Sequence, residues 1–292
     1  MHAAALVQTV LPIFLIIAVG YAIGIRRKVE VDMQPFIDLI VYIAGPCLIF
    51  ASIARSDINL TDFTTIAGAA LVIVLIMTSV AFLIFRLTGS AKKGLYLPLV
   101  FGNTSYLGYP VALFAFGMAG LSRAVVFDMI NSLVIFTLGI YIVHQRNEIR
   151  EAFKIPLLHA VVVGLAFNLL HLQVPDAIFT PIEMIGMITI PLALLVLGYK
   201  LTEIKLTAVK VAVLASVFRI LGGFLVALAI IELLAIEGMV RDIILLQAAM
   251  PSAVMGMILA AKYDRDASLV ASVVLITTVL SLISIPLILS ML

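Results

Sequence analysis

The chain has little cysteine, no tryptophan and few charged residues. Its 292 residues include one cysteine, Cys47, and only 12% of them are charged. A single cysteine excludes an intrachain disulfide and a metal site built from several cysteines. Soluble domains carry about a quarter charged residues, so the composition also excludes an ordinary soluble domain.

Signatures of catalysis and of nucleic-acid binding are missing too. The sequence contains no H-E-x-x-H, no G-x-x-x-x-G-K-[ST] and no G-x-S-x-G motif, so an enzyme is not expected. The histidines show no metal-ligand spacing, so no metal site is expected, and nor is a cofactor. The net charge of +2 comes without a basic cluster, which argues against a nucleic-acid partner. The four histidines are His2, His144, His159 and His171.

The residues that are present are mostly apolar, at 64% of the chain, with a mean hydropathy of +1.28. A bilayer core takes about 20 residues of helix. Cutting the chain at its polar clusters predicts an all-α integral membrane protein, with residues 1–292 forming a single domain of ten transmembrane helices. The predicted spans are 6–25, 33–54, 63–87, 94–117, 122–144, 155–172, 177–200, 207–234, 240–261 and 267–291.

The basic residues predict the orientation of these spans. Fourteen of the 18 Lys and Arg residues lie in the odd-numbered loops, whereas the even-numbered loops carry Arg55, Arg123 and Arg241, and Arg219 lies inside a span. The positive-inside rule then places both termini outside the cytoplasm. The membrane that holds the protein is expected to be the cell (inner) membrane. The basic residues of the odd-numbered loops lie within 26–28, 86–93, 146–154, 200–210 and 262–265.

Five spans per half require that any internal repeat be inverted. Four pairs of similar residues recur at offsets of 144 or 145, and a fifth at 141. We therefore predict two inverted five-helix repeats, 1–145 and 150–292, joined by the polar stretch 145–154. The pairs are Pro12 and Pro156, Pro46 and Pro191, Asp38 and Glu183, Asn103 and Gln247, and Pro110 and Pro251.

Two apolar runs, spans 4 and 9, are interrupted by residues that do not suit a membrane helix. Span 4 contains F-G-N-T-S-Y-L-G-Y-P at 101–110, and span 9 contains A-M-P-S-A at 249–253. Lipid offers no partner for freed backbone groups, so such breaks survive where they are buried or line a cavity. Broken spans at corresponding positions indicate a transport site, whose free helix N-termini suit an anion. The alternative is that glycine and proline merely kink packed helices.

Other polar residues inside spans have two interpretations each. Pro46 and Pro191 either bend helices towards the site or are ordinary kinks. Asp38 and Glu183 either take part in coupling or gating, because carboxylates at such depth are costly, or they lie at the headgroup level in contact with water.

Arg219 is the charge deepest in a span. It could neutralise an anionic substrate, pair with Asp128 or Glu183, or donate to backbone carbonyls freed by a broken helix. Asp128 and Asn131 stand one turn apart on one helix face. They either line the same cavity or lie near the outer surface.

Several motifs resemble the auxin efflux carrier family. The similarity covers the whole chain and is carried by the segments G-N-T at 102–104, G-Y-P at 108–110, P-L-A-L at 191–194, Q-A-A-M-P-S at 247–252 and A-A-K-Y-D at 260–264. This resemblance implies a ten-helix carrier with a fold like that of the bile-acid sodium symporters. Helices like spans 3–5 and 8–10 would form a transport bundle, and helices like spans 1, 2, 6 and 7 a scaffold used for dimerisation.

The resemblance also implies a site where spans 4 and 9 cross, and substrates that are organic anions such as auxin, malonate or malate. Neither crossover segment contains an acidic residue, so proton or sodium coupling stays open. The substrate-binding candidates are Asn103, Thr104, Ser105, Pro110, Gln247, Pro251, Ser252 and Asn131. The charge or coupling candidates are Asp38, Glu183, Arg219 and Asp128.

Together these features predict a secondary active transporter, a carrier that moves a small mono- or dicarboxylate by alternating access. The alternatives are a sodium-coupled symporter of the bile-acid type, and a passive channel or a sensor. The expected partners are the organic anion, the lipid bilayer and a second copy of the chain.

Overall fold

The computed structural model describes residues 3–26, 31–89, 92–144 and 156–292, and these ranges form helices. The twelve helices are α1 (Ala3–Arg26), α2 (Gln34–Ala54), α3 (Leu60–Thr88), α4 (Tyr96–Val100), α5 (Gly108–His144), α6 (Pro156–Leu169), α7 (Asp176–Met187), α8 (Thr189–Leu201), α9 (Val209–Leu233), α10 (Gly238–Ala248), α11 (Val254–Lys262) and α12 (Ala267–Met291). The predicted boundary between the repeats, 145–150, and the linker 145–154 lie outside the described residues.

Seven helical stretches in the described ranges are long and apolar enough to cross a membrane, and α6 is a shorter apolar helix. Their outer faces expose large apolar side chains, such as Leu214, Leu221 and Leu225 on α9. So much exposed apolar surface is unfavourable for a monomer in water, whereas it is favourable in contact with lipid. The predicted all-α integral membrane protein is therefore confirmed.

Local sequence explains where several helices begin and bend. Asn59 accepts a hydrogen bond from the Asp62 N–H at 2.8 Å and so caps the start of α3. Pro46 stands two residues after the end of a π-helical turn, Ile40–Ala44, within α2. Pro191 lies in the first turn of α8, just beyond the interruption at Ile188 that separates α8 from α7. Both prolines thus lie beside irregular turns of their helices.

The longest helical stretch, α5, is divided internally. Gly117 has φ +66° and ψ −160°, a backbone conformation that glycine adopts at little cost. A continuous helix of 37 residues would be about 55 Å long, nearly twice the thickness of the hydrocarbon core. The chain changes direction at Gly117 instead.

The helices pack in two groups. In the first, α1 lies against α8, and α2 lies against α6 and α7. A Cβ at Gly20 or Gly198 would overlap a carbonyl of the facing helix, so glycine allows the close approach of α1 and α8. In the second group, α3, α5, α9, α10 and α12 pack around the short helices α4 and α11. The two groups meet mainly where α5 contacts α1, α2 and α6.

Candidate functional site

Two helix interruptions meet inside the second group. The first break, 101–107, separates α4 from α5, and the second break, 249–253, separates α10 from α11. The Asn103 N–H donates to the Pro251 carbonyl at 2.6 Å, and the Ala253 N–H donates to the Phe101 carbonyl at 3.0 Å. Within the described residues these bonds form an isolated antiparallel bridge between Gly102 and Ser252. Each break thereby supplies partners for backbone groups that lipid would leave unsatisfied.

Arg219 is 2% exposed and satisfies the carbonyls at the ends of two helices. Its Nη1 donates to Val100 O at 2.8 Å, its Nη2 to Ala248 O at 2.9 Å and its Nε to Met250 O at 3.2 Å. A positive charge at helix C-termini is favourable. Of the three predicted partners for Arg219, the freed carbonyls are the ones that it contacts, and pairing with Asp128 or Glu183 is wrong.

Asp128 of α5 lies at the first break and is 4% exposed. Its Oδ1 accepts a hydrogen bond from Thr104 Oγ1 at 2.5 Å, and its Oδ2 accepts one from the Tyr109 hydroxyl at 2.7 Å. Asn131, one turn further along, donates from Nδ2 to Gly102 O at 3.1 Å and to Thr104 Oγ1 at 3.0 Å. Both residues are buried beside the first break and away from the outer surface, so a carboxylate stands at the first break despite the absence of one in its sequence.

The second break is held mainly through Ser252, which is fully buried. Its hydroxyl donates to Pro98 O at 2.7 Å, and its N–H donates to Thr277 Oγ1 of α12 at 3.1 Å. Gln247 lies at the end of α10 and donates from Nε2 to Thr104 O at 3.3 Å. Ser252 and Gln247 therefore both donate to backbone carbonyls on the side of the first break, Pro98 O of α4 and Thr104 O.

Two buried side-chain amide atoms at the crossing lack a hydrogen-bond partner within the described part of the chain. They are Asn103 Nδ2, a donor, and Gln247 Oε1, an acceptor. A buried polar atom without a partner costs about 1–3 kcal/mol. An amide that remains unpaired at a helix break in a membrane is the kind of group that a polar ligand would satisfy.

The start of α5 differs from the prediction of free N–H groups for an anion. Gly108 N donates to Asn103 O at 3.0 Å and Tyr109 N donates to Ser105 O at 3.2 Å. Pro110 has no N–H, and Val111 N donates to Leu107 O at 3.2 Å. Carbonyl groups of the first break accept from the N–H groups at the start of α5, so these N–H groups already have hydrogen-bond partners.

The remaining predicted residues lie around the crossing or away from it. Pro110 is buried one turn into α5, and Ser105 in the first break is partly exposed. Asp38 is exposed and accepts a hydrogen bond from Gln34 Nε2 at 2.7 Å, while Glu183 is exposed on α7. Neither of these two carboxylates is brought to the crossing.

Two cavities open where the packing groups meet. One, of about 490 Å³, is lined by the start of α2, the end of α8 with Lys200, the following loop with Lys205, and α11 and α12. The other, of about 370 Å³, is lined by the end of α2 with Arg55, the Met118–Ala119 bend in α5, and Glu183 of α7. Because they adjoin opposite ends of the 21-residue α2, the cavities are about 30 Å apart.

Sequence reasoning missed three residues at the crossing. Tyr109 and Thr277 bond to Asp128 and Ser252, and Tyr106 of the first break has a buried hydroxyl without a partner in the described ranges. Tyr106 also packs against Met33, Ile37 and Tyr199 of the first group. A local signal existed for the two tyrosines, since both stand within the F-G-N-T-S-Y-L-G-Y-P stretch.

An ion cluster that sequence reasoning also missed lies beside the second cavity. Arg123 donates to Asp57 at 2.8 Å and to Asp62 at 2.6 Å. The hydrogen bond from Arg123 holds the pKa of Asp57, in the loop before α3, below its ordinary value. This cluster ties that loop to α5 close to Gly117.

Comparisons with known proteins agree with a membrane transport role. A family model described as membrane transport protein matches residues 5–154 and 146–289. An uncharacterized transporter of Methanothermobacter thermautotrophicus is 32% identical over 291 residues, covering 96% of each chain. An uncharacterized transporter of Methanocaldococcus jannaschii is 29% identical over 299 aligned positions, with the same coverage.

These matches span almost the whole chain, and they agree with the motifs around 102–110 and 247–252. A membrane-embedded helical fold with two paired breaks is consistent with them. The chain therefore belongs to the membrane transport protein family, that of the auxin efflux carriers.

Proposed function

We propose that this transporter is a secondary active carrier that moves a small organic anion, a mono- or dicarboxylate, by alternating access. The observation that carries the proposal is the buried Asn103 Nδ2, a donor that has no partner among the described residues where two broken helices cross. A carboxylate oxygen is the natural acceptor for such a donor. The chemistry is binding and release, so no enzymatic step is proposed.

The helix lengths support ten crossings. The division at Gly117 separates Gly108–Phe116, the second half of broken span 4, from span 5, which continues to His144. Helices α10 and α11 together make broken span 9, and α7 with α8 make span 7. Adding the short α6 and the five unbroken long helices gives ten, and the antiparallel pairing of the breaks fits two inverted five-helix repeats.

The division of the helices into two packing groups supports a carrier with one fixed part and one moving part. The first group corresponds to spans 1, 2, 6 and 7, the proposed scaffold, and the second to spans 3–5 and 8–10, the proposed transport bundle. Each cavity lies on the boundary between the groups, at opposite ends of α2. A sliding or rocking bundle would connect the crossing first with one cavity and then with the other.

The contacts of the crossing also limit how the anion's charge can be held. Arg219 already donates to three carbonyls, so it offsets helix ends and leaves the anion to neutral donors. In our proposal Asn103 Nδ2 binds the carboxylate. The hydroxyls of Thr104 and Ser252 join it by turning from their present acceptors, Asp128 and Pro98 O. Gln247 Oε1 is available for a hydroxyl or a protonated carboxyl of the substrate.

The proposal places the protein in the cell membrane with both termini outside the cytoplasm. Lys200 and Lys205 line the larger of the two boundary cavities, and the excess of basic residues on that side supports its being cytoplasmic. Two copies would associate through the scaffold, whose lipid-facing surface would stay still during transport.

Uptake into proteoliposomes tests this function. Purified protein is reconstituted and the entry of radiolabelled malonate or malate is measured, with and without unlabelled substrate inside. A carrier is accelerated by internal substrate, whereas a channel is not and carries far larger currents. Substituting Asn103→Ala or Pro251→Ala should reduce the initial rate about tenfold or more, equivalent to ~1.4 kcal/mol of barrier.

The matched control is Asn168→Ala. Asn168 is an asparagine of α6 whose Nδ2 donates to Ser56 O at 2.7 Å, away from the crossing. Its loss should leave the initial rate unchanged within experimental error. Normal transport of both anions by the Asn103→Ala protein would contradict the binding assignment, and a wild type that moves neither anion would contradict the substrate class.

A further inference from the structure

The carboxylate of Asp128 joins the two sides of the first break. Thr104, which binds one carboxylate oxygen, lies within the break, whereas Tyr109, which binds the other, lies in the first turn of α5. Thr104 Oγ1 also accepts from Asn131 Nδ2, so its single proton points to Asp128. Both carboxylate oxygens therefore act as acceptors, the arrangement of an ionised carboxyl group.

Among the described residues no cation forms a salt bridge or a hydrogen bond with this carboxylate. Its hydrogen-bond contacts in the described residues are the two hydroxyls, and Tyr109 is the titratable group among them. Arg219 of α9 is directed at three carbonyls, and Arg123, on the same helix as Asp128, is bound to Asp57 and Asp62. An ionised carboxylate in a dry interior without a counter-ion costs several kcal/mol.

Several elements that pack against α5 carry charged or titratable groups of their own. The helices that contact α5 are α1, α2, α3, α6 and α10, together with α4, which carries Tyr96, and the turn before α4, which carries Lys93; the first break adds Tyr106. Their described groups are Tyr21 and Arg26 on α1, Asp38, Tyr42 and Cys47 on α2 with Arg55 directly after it, Asp62 and Arg86 on α3, His159 on α6, and Arg241 and Asp242 on α10.

A proton changes what Asp128 can do. A protonated carboxyl group has one O–H to donate, so one of the two hydroxyls would have to become an acceptor. Either hydroxyl oxygen can do so, because Thr104 Oγ1 keeps a second lone pair besides the one that accepts from Asn131. Acceptance by Thr104 would turn its own proton from Asp128 towards Gly102 O, at 3.5 Å. It would thus rearrange the bonding of the break at the residue next to Asn103.

An arriving anion would favour that protonation. A substrate carboxylate held by Asn103 would lie one residue from Thr104, and two nearby negative charges repel each other unless one of them takes a proton. Anion and proton would then bind together and leave together, with the bundle crossing only in the neutralised state.

We propose that Asp128 is the group that carries a proton, so that one proton crosses the membrane with each anion. This inference rests on the proposed carrier function. The proton comes from the solution on the entry side, binds a carboxylate oxygen of Asp128 and returns to the solution on the exit side.

The test compares wild type with Asp128→Asn in proteoliposomes, with radiolabelled malonate and malate as probes. In the wild type an imposed pH gradient should drive accumulation, and weakly buffered solubilised protein should take up one proton per anion bound, as followed with an indicator dye. The Asp128→Asn protein should lose both effects but still exchange labelled for unlabelled anion. The control Asp176→Asn, at an exposed residue of α7, should behave as wild type.

A second variant keeps the proposal falsifiable if Asp128→Asn does not fold. Tyr109→Phe removes one hydroxyl that stabilises the ionised carboxylate, so the pH at which uptake is half-maximal should move higher. An unchanged pH profile in Tyr109→Phe, or gradient-driven accumulation by Asp128→Asn, would overturn the proton role. Exchange without accumulation in the wild type would also overturn it while leaving the carrier intact, whereas no transport at all would contradict the carrier function instead.

Discussion

The two breaks of this transporter cross each other but are held in different ways. The first, 101–107, contains three polar side chains in succession and is connected to α5 through Asp128 and Asn131. The second, 249–253, is mostly apolar, and Arg219 holds two of the carbonyls at and beside it, Ala248 O and Met250 O. One break depends on side chains that can exchange partners, and the other on a permanent charge that cannot be neutralised.

This difference separates two roles within one crossing. An arginine keeps its charge at all physiological pH values, so the carbonyls of the second break and of α4 stay satisfied in every state. A carboxyl group and hydroxyls can change protonation or direction, so the first break can respond to a ligand. We therefore assign stability mainly to the Arg219 side and responsiveness mainly to the Asp128 side.

The largest expected effect comes from Arg219→Leu. It would leave the carbonyls of Val100, Ala248 and Met250 without their donor inside the membrane, at about 1–3 kcal/mol each. We expect little or no monodisperse protein in detergent, as measured by size-exclusion chromatography. Arg219→Lys should restore the yield of folded protein only in part, because the lysine ammonium does not reproduce the planar guanidinium with its fork of N–H donors.

The control for Arg219 is Arg86→Leu at the exposed end of α3. It removes the same charge without emptying a buried set of carbonyls. A well-folded Arg219→Leu protein with a melting temperature equal to that of Arg86→Leu would contradict the structural role.

A matched pair of threonine variants gives an intermediate effect. Thr104→Val removes a hydroxyl between Asn131 and Asp128 at the first break, and Thr277→Val removes the acceptor of the Ser252 N–H at the second. Both should cost about 1–3 kcal/mol of stability, since each leaves buried groups unpaired. Thr104→Val should also slow anion uptake about tenfold, whereas Thr277→Val should stay within about threefold of wild type.

Thermal unfolding and initial uptake rates, measured on the same preparations, check this pair. Equal losses of transport in the two variants would remove the distinction between the breaks. A larger loss in Thr277→Val would reverse it.

The smallest effects are expected outside both breaks, at the carboxylates that bind Arg123. Asp57 is 68% exposed and Asp62 is 18% exposed, so Asp62→Asn should lower the melting temperature more than Asp57→Asn does. Exposed ion pairs contribute little because water screens them. A greater loss from Asp57→Asn would show that exposure does not rank these contacts.

The sign of the pH dependence follows from the lowered pKa of Asp57. The stability from this pair is complete above the unfolded aspartate pKa of about 3.9 and is lost as the pH falls through the lower folded value. The difference in melting temperature between wild type and Asp57→Asn should therefore shrink below about pH 4. A difference that grows on acidification would contradict this account.

Much of the site could be predicted from sequence because its signals are local. Hydropathy indicated the spans, and glycine, proline and the N-T-S run at 103–105 marked a break that the structure also has. The bond between Asn103 and Pro251 joins the two segments that were predicted to cross. At the start of α5 the assumption of free N–H groups was wrong, because the carbonyls of Asn103 and Ser105 accept from Gly108 and Tyr109.

The sequence by itself determined that the chain is a helical membrane protein with two polar interruptions, since those properties depend on composition and on residues close in the chain. Only the tertiary structure decided that Arg219 serves carbonyls and that Asp128 stands at the first break. Arg219 reaches Val100 across 119 positions, and Asp128 reaches Thr104 across 24. Contacts over such separations depend on how whole helices pack, which the order of residues in a single span does not contain.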